Sequence, residues 1–81
     1  MQTLKITCDV CRDKIDGHYI DGRLFIFGER TRWGYACIPC WNIHGTGKFG
    51  VGHARLYTAT HEPVPYETAN DPNFQKALGL L

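Results

Sequence analysis

The chain has no long hydrophobic run. No stretch of its 81 residues approaches a membrane span, and residues 1–6 lead into neither an apolar core nor a small-residue cleavage site. This sets the expectation of a protein with no membrane partner, kept in a reducing cytoplasm where structural disulfides are rare. An excess of either charge is missing too. Lys+Arg 9 against Asp+Glu 8 leaves a formal +1, unlike the basic balance of a strong non-specific nucleic-acid binder. Internal repeats and long linkers are absent, so one domain over 1–81 is expected, with a core over 1–60 and an extended segment plus C-terminal helix over 61–81. A domain this short buries too little apolar surface to be held by packing alone, and needs a disulfide, a metal or a partner subunit.

What the chain does have is four cysteines in two C-x-x-C pairs, Cys8-Asp9-Val10-Cys11 and Cys37-Ile38-Pro39-Cys40, separated by 25 residues. Two intervening residues let a tight turn aim both sulfurs at one point, and tetrahedral zinc accepts two such pairs. A thioredoxin-like redox pair needs a βαβ setting that is missing, and two disulfides conflict with the compartment. One structural zinc on Cys8, Cys11, Cys37 and Cys40 is therefore expected. Its four thiolates and one dication contribute about −2, which brings the molecule near −1.

The flanking segments set the fold class. Leu4, Ile6, Cys8 and Val10 alternate at a strand period, and Tyr19-Ile20 and residues 24–27 are aromatic and β-branched runs. The intervening Asp21-Gly22 predicts a tight hairpin turn. A second turn is expected near Gly28-Glu29, before residues 30–36 return as a strand. The segment Ile38–His44 suits a short helix closed by a Gly45 cap, with Pro39 in a first turn that needs no amide donor. Residues 45–52 hold four glycines in eight positions and predict a loop; residues 53–60 predict a short strand, and Pro63 and Pro65 extended chain. Asn70 or Asp71 caps a final helix with Pro72 first, and Phe74, Ala77, Leu78 and Leu81 recur on one face. A knuckle, a β-hairpin and a helix opening on the second pair make a small metal-stabilised α+β domain, a treble-clef-like zinc finger with a C-terminal helix. The alternative is a zinc ribbon, with both pairs in hairpin knuckles.

Residues 8–57 resemble a group of small phage and prophage proteins that share several motifs. These are a first C-x-x-C ending at Cys11, an aspartate-glycine pair (Asp21-Gly22), a tryptophan (Trp33) shortly before the second pair, and alternating glycines after His44 that end in a basic residue and tyrosine (Arg55, Tyr57). The resemblance implies a zinc-stabilised phage-type protein in the cytoplasm of a bacterial host and brings no assigned reaction. His53-Ala54, where another basic-glycine pair is the pattern, and residues 63–81 depart from it.

Other motifs have plainer roles beside their functional ones. Gly45-x-Gly47-x-x-Gly50 carries the letters of a dinucleotide fingerprint without its strand-to-helix setting, so it reads as a loop. Lys48, His53 and Arg55 beside its amides form a candidate anion nest. His18, His44 and Asn42 invite comparison with HNH-type nucleases, but the aspartate-histidine pair and asparagine of that site have no clear match. Arg23, Arg30 and Arg32 cluster around the hairpin as a solvated face, a counter-charge to the thiolates or a contact surface. Trp33, Tyr35, Trp41, Phe25, Phe27, Phe49 and Tyr57 can stack on bases, with Phe25, Phe27, Tyr35 and Trp41 expected in the core instead.

The leading expectation is a non-enzymatic interaction module that docks on a host or phage protein, with Phe74, Leu78 and Leu81 as partner contacts or as a homo-oligomer face. The alternative is a nucleic-acid-binding zinc finger using Lys48, His53, Arg55, Arg30 and Arg32. An HNH-like nuclease is the third reading.

Overall fold

The computed structural model describes residues 6–26, 30–45 and 47–80, without the side chains of residues 26, 30 and 31; over these, two antiparallel sheets and three short helices follow one another. Strands β1 (Ile6–Thr7) and β2 (Lys14–Ile15) pair as a small ribbon, Ile6 opposite Ile15, and the first cysteine pair sits in the turn between them. Two backbone bonds of 2.9 Å close that turn, from Arg12 N to the Cys8 carbonyl and from Cys8 N to the Asp13 carbonyl. Arg12 takes a left-handed conformation there, φ 65°, at a cost of about 1–2 kcal/mol for a residue with a Cβ.

Strands β3 (Tyr19–Ile26) and β4 (Arg30–Cys37) form the long hairpin, running from Tyr19 opposite Cys37 to Ile26 opposite Arg30. Strand β5 (Arg55–Tyr57) adds to the other side of β3, giving the order β4-β3-β5. Asp21-Gly22 is therefore not the hairpin turn that local preference predicted: it lies within β3. Gly22 serves packing instead. A Cβ at Gly22 would stand 2.5 Å from the Ala54 Cβ and 3.0 Å from the Trp41 ring, so glycine lets a helix and a loop close on the strand. The turn expected near Gly28-Glu29 lies outside the described residues.

Helix α1 (Ile38–His44) follows β4 without a break, with Cys37 as its N-cap and Pro39 in its first turn. Gly45 ends the helix in an extended conformation, φ −86°, and not as the left-handed cap that glycine suggested; its missing side chain leaves room for the Trp41 indole, which a Cβ would overlap. The helix packs on the inner face of the three-stranded sheet. There Ile20, Leu24, Ala36, Trp41 and Leu56 are buried, and Phe49 stacks on Trp41 with ring centroids 6.0 Å apart.

The tail folds onto the same core. Val64 N donates to the Leu56 carbonyl (2.8 Å), bonding to strand β5, and Val64 and Ala69 are buried in the same cluster. It carries two helices where one was expected: α2 (Tyr66–Ala69) precedes α3 (Pro72–Leu78). The start of α3 is as the sequence predicts, with the Asp71 carboxylate accepting from Asn73 N at 3.0 Å and Pro72 next. Phe74 and Leu78 are half-buried against the chain's own core, while Leu81 lies outside the described residues. Among the described residues no helix is long and apolar enough to cross a membrane.

Candidate functional site

The two cysteine pairs meet because β4 runs directly into α1 beside the β1–β2 ribbon. All four Sγ atoms lie within 4.8 Å of one another, and those of Cys11 and Cys37 are 3.9 Å apart. Metal–sulfur bonds of about 2.3 Å in a regular tetrahedron require sulfurs about 3.8 Å apart, so the cluster can hold one metal ion. All four cysteines are free thiols, and none forms a disulfide. Burial works against ionisation of the Cys8 thiol, but the amides of Cys11, Cys37 and Val10 outweigh it and lower its pKa to about 7. Val10 N lies 3.4 Å from that sulfur. Burial pushes the Cys37 and Cys40 thiols up, with the Cys8 sulfur beside them adding to the effect.

Asp9, inside the first pair, clasps the ribbon to the hairpin. Its N–H donates to the Tyr35 carbonyl (2.8 Å), its carboxylate accepts from Tyr35 N (2.7 Å), and its other oxygen is 3.9 Å from Arg32. Gly34 makes room, since a Cβ there would run into the Asp9 carboxylate.

Alternation along β3 sends Ile20, Gly22 and Leu24 inward and Tyr19, Asp21, Arg23 and Phe25 outward. Opposite them on the outer face stand Tyr35 and Trp33 of β4 and Tyr57 and Arg55 of β5. Phe25 is 48% exposed, Trp33 51% and Tyr35 38%. This corrects the expectation that Phe25 and Tyr35 are core residues: the pleat assigns them to the face opposite Leu24 and Ala36. At one end of the face Tyr19 is buried, stacked on Tyr57 (5.1 Å) and edge-on to Tyr35 (5.6 Å), and its hydroxyl shares a 3.0 Å hydrogen bond with His61 Nδ1. Arg55 Nη2 donates to the Tyr66 hydroxyl at 2.8 Å, and its guanidinium lies 5.2 Å from the Tyr66 ring centroid. Burial raises the Asp21 pKa; a hydrogen bond from the Trp33 side chain opposes the rise and the Asp9 charge adds to it.

The cations singled out in the sequence do not assemble as one group. His53 and Arg55 line one cavity of about 210 Å³ with Gly50 and Gly52, whereas Lys48 is exposed in the same loop and does not line it. Arg32 sits across from Leu24 in the register, near Asp9, and the Arg30 side chain lies outside the described set. The nuclease-like residues have structural contacts: His18 is edge-on to Phe74 (6.3 Å), His44 Nδ1–H donates to the Phe25 carbonyl (3.0 Å), and Asn42 donates to the Gly79 carbonyl (2.6 Å). Among the described residues, the four cysteines are the one cluster of three or more metal-ligating side chains.

No protein-family model, curated protein or solved structure matches the chain. Two features went unread in the sequence. Asp9's partner on β4 is 26 residues away, and Gly34 is its only local trace. The outer face was hidden by assigning Asp21-Gly22 to a turn, which breaks the alternation linking Asp21, Arg23 and Phe25.

Proposed function

We propose that the chain is a non-enzymatic binding module of treble-clef type, stabilised by one structural zinc on Cys8, Cys11, Cys37 and Cys40, whose outer sheet face binds single-stranded nucleic acid. An all-thiolate tetrahedral donor set suits zinc. The order of ribbon turn, long hairpin and helix start supports a treble clef over a zinc ribbon, because Cys37 caps a helix. The observation that carries the binding assignment is the exposure of Phe25, Trp33 and Tyr35 on one face, with Arg23 opposite Trp33 and Arg55 on the strand beyond. A domain this small gains from burying such rings, so leaving them in water points to a ligand. Unpaired bases stack on exposed rings at about 1–3 kcal/mol each, and arginines contact the backbone. A duplex keeps its base faces stacked away from such a platform. The near-neutral charge fits binding led by stacking.

A second reading keeps the protein partner and moves it to this face, since aromatic and arginine side chains also form the hot spots of protein interfaces. The phage resemblance would place either reading in the cytoplasm of a bacterial host. Fluorescence anisotropy with labelled oligonucleotides tests the choice. The single strand should bind tighter than the duplex of the same sequence, and Trp33→Ala should weaken it about tenfold or more. Contacts from Arg23 and Arg55 alone give a log affinity against log salt slope of about −1.4, at about −0.7 per contact. Preference for the duplex, or an unaffected Trp33→Ala protein, contradicts the reading; absence of binding to either form leaves the protein partner.

A further inference from the structure

Asp21 is an acid in the middle of a face that otherwise offers rings and arginines. It stands across from Tyr35 on one side and Arg55 on the other, and contributes to the wall of the 210 Å³ cavity with Trp33, His53, Arg55, Tyr57 and Tyr66. The cavity is smaller than the roughly 300–1,000 Å³ typical of sites for free-standing ligands. It suits one group inserted from a longer chain. Trp33 supplies an exposed ring at its edge. An ionised carboxylate offers two oxygens with about four acceptor sites and no donor. Among the described residues Asp21 has no ion pair, and it lines the cavity beside Trp33. That leaves acceptor capacity facing the cavity. Arg55 is already fixed by the Tyr66 hydroxyl at 2.8 Å, so its remaining N–H groups are preorganised for a phosphate at the rim.

We propose that this cavity reads a single unpaired guanine, which stacks against Trp33 and donates from N1–H and the 2-amino group to the two oxygens of Asp21. The inference rests on the single-strand reading above. Among the four bases, guanine presents two adjacent donors on its Watson–Crick edge, which match a carboxylate in the way bidentate pairs do. Uracil and thymine flank their one donor with carbonyl oxygens, and adenine and cytosine set an acceptor beside the amino group, so each meets the carboxylate with repulsion.

The test uses the full zinc-loaded chain and thymine oligonucleotides with one central guanine, hypoxanthine, adenine or thymine. Guanine should bind about 5- to 100-fold tighter than thymine. Hypoxanthine, which lacks the 2-amino group, should lose most of that gain. Asp21→Asn should bring the guanine-to-thymine affinity ratio to within about twofold of one, because the amide removes both the second acceptor for guanine and the repulsion toward thymine's carbonyl oxygens. The hypoxanthine comparison needs no variant and holds even if Asp21→Asn folds poorly. Equal binding of all four oligonucleotides overturns the pocket and leaves the stacking face standing. Failure of every oligonucleotide to bind overturns both.

Discussion

Leu24 and Phe25 are neighbours on one strand, and the strand turns them to opposite fates. Leu24 is 0% exposed on the inner face, whereas Phe25 is 48% exposed on the outer face with Trp33 and Tyr35. The inner face consumes its apolar groups in folding: Ile20, Leu24, Ala36 and Leu56 meet Trp41, Phe49 and the tail. The outer face packs Tyr19 at one end but leaves Phe25 and Trp33 about half exposed. In a chain too short to be held by packing alone, leaving those rings outside shrinks the core further. A metal ion held by the four cysteines would offset that loss by joining the β1–β2 ribbon to the β4–α1 junction. On the proposed reading, the two faces divide the work between holding the fold and meeting a ligand.

Metal removal should break the inner side first and most completely. Structural zinc contributes about 10–16 kcal/mol of apparent binding energy in small zinc domains, comparable to the whole stability of a folded domain of about 5–15 kcal/mol. Chelation is expected to abolish the near-ultraviolet circular dichroism and the cooperative melt. A chelated protein that kept both would remove the metal from the account.

Substitution at the neighbouring pair sharpens the contrast. Leu24→Ala should cost about 2–5 kcal/mol by leaving a cavity between β3 and α1. Phe25→Ala should stay within about 0.5 kcal/mol in chemical denaturation and lower oligonucleotide affinity instead. If Phe25→Ala destabilised as much as Leu24→Ala, the outer face would be a core surface.

The smallest effect belongs to Asp21. Its folded pKa is raised by burial, so folding penalises the ionised form: the stability it contributes is present below its unfolded pKa and lost as pH rises through the folded one. Asp21→Asn should therefore melt at the same temperature or slightly higher at neutral pH. The gain should shrink as pH falls toward the carboxylate range. A lower melting temperature at neutral pH would mean that the charge supports the fold.

Much of the four-cysteine cluster was legible, and most of the outer face was not. C-x-x-C spacing is a local constraint imposed by two sulfurs on one ion, so it survives in the sequence whatever surrounds it. Helix signals at Pro39, Asp71 and Pro72 are local in the same way, and both helices start where those residues indicate. Gly22 and Gly45 show where local logic stops: each is glycine because Trp41 packs close to it, a tertiary demand that looks like a turn or a cap. Phe74 and Leu78 have helical spacing that says an apolar face exists without saying whether it meets a partner or the chain's own core; here it meets the core.

The most direct test of the outer-face assignment is nuclear magnetic resonance mapping of backbone amides in the zinc-loaded protein during titration with a single-stranded oligonucleotide. The account predicts shifts concentrated on Phe25, Trp33, Tyr35 and Arg55, with α3 unmoved. Shifts confined to Phe74 and Leu78, or none at saturating oligonucleotide, would contradict it.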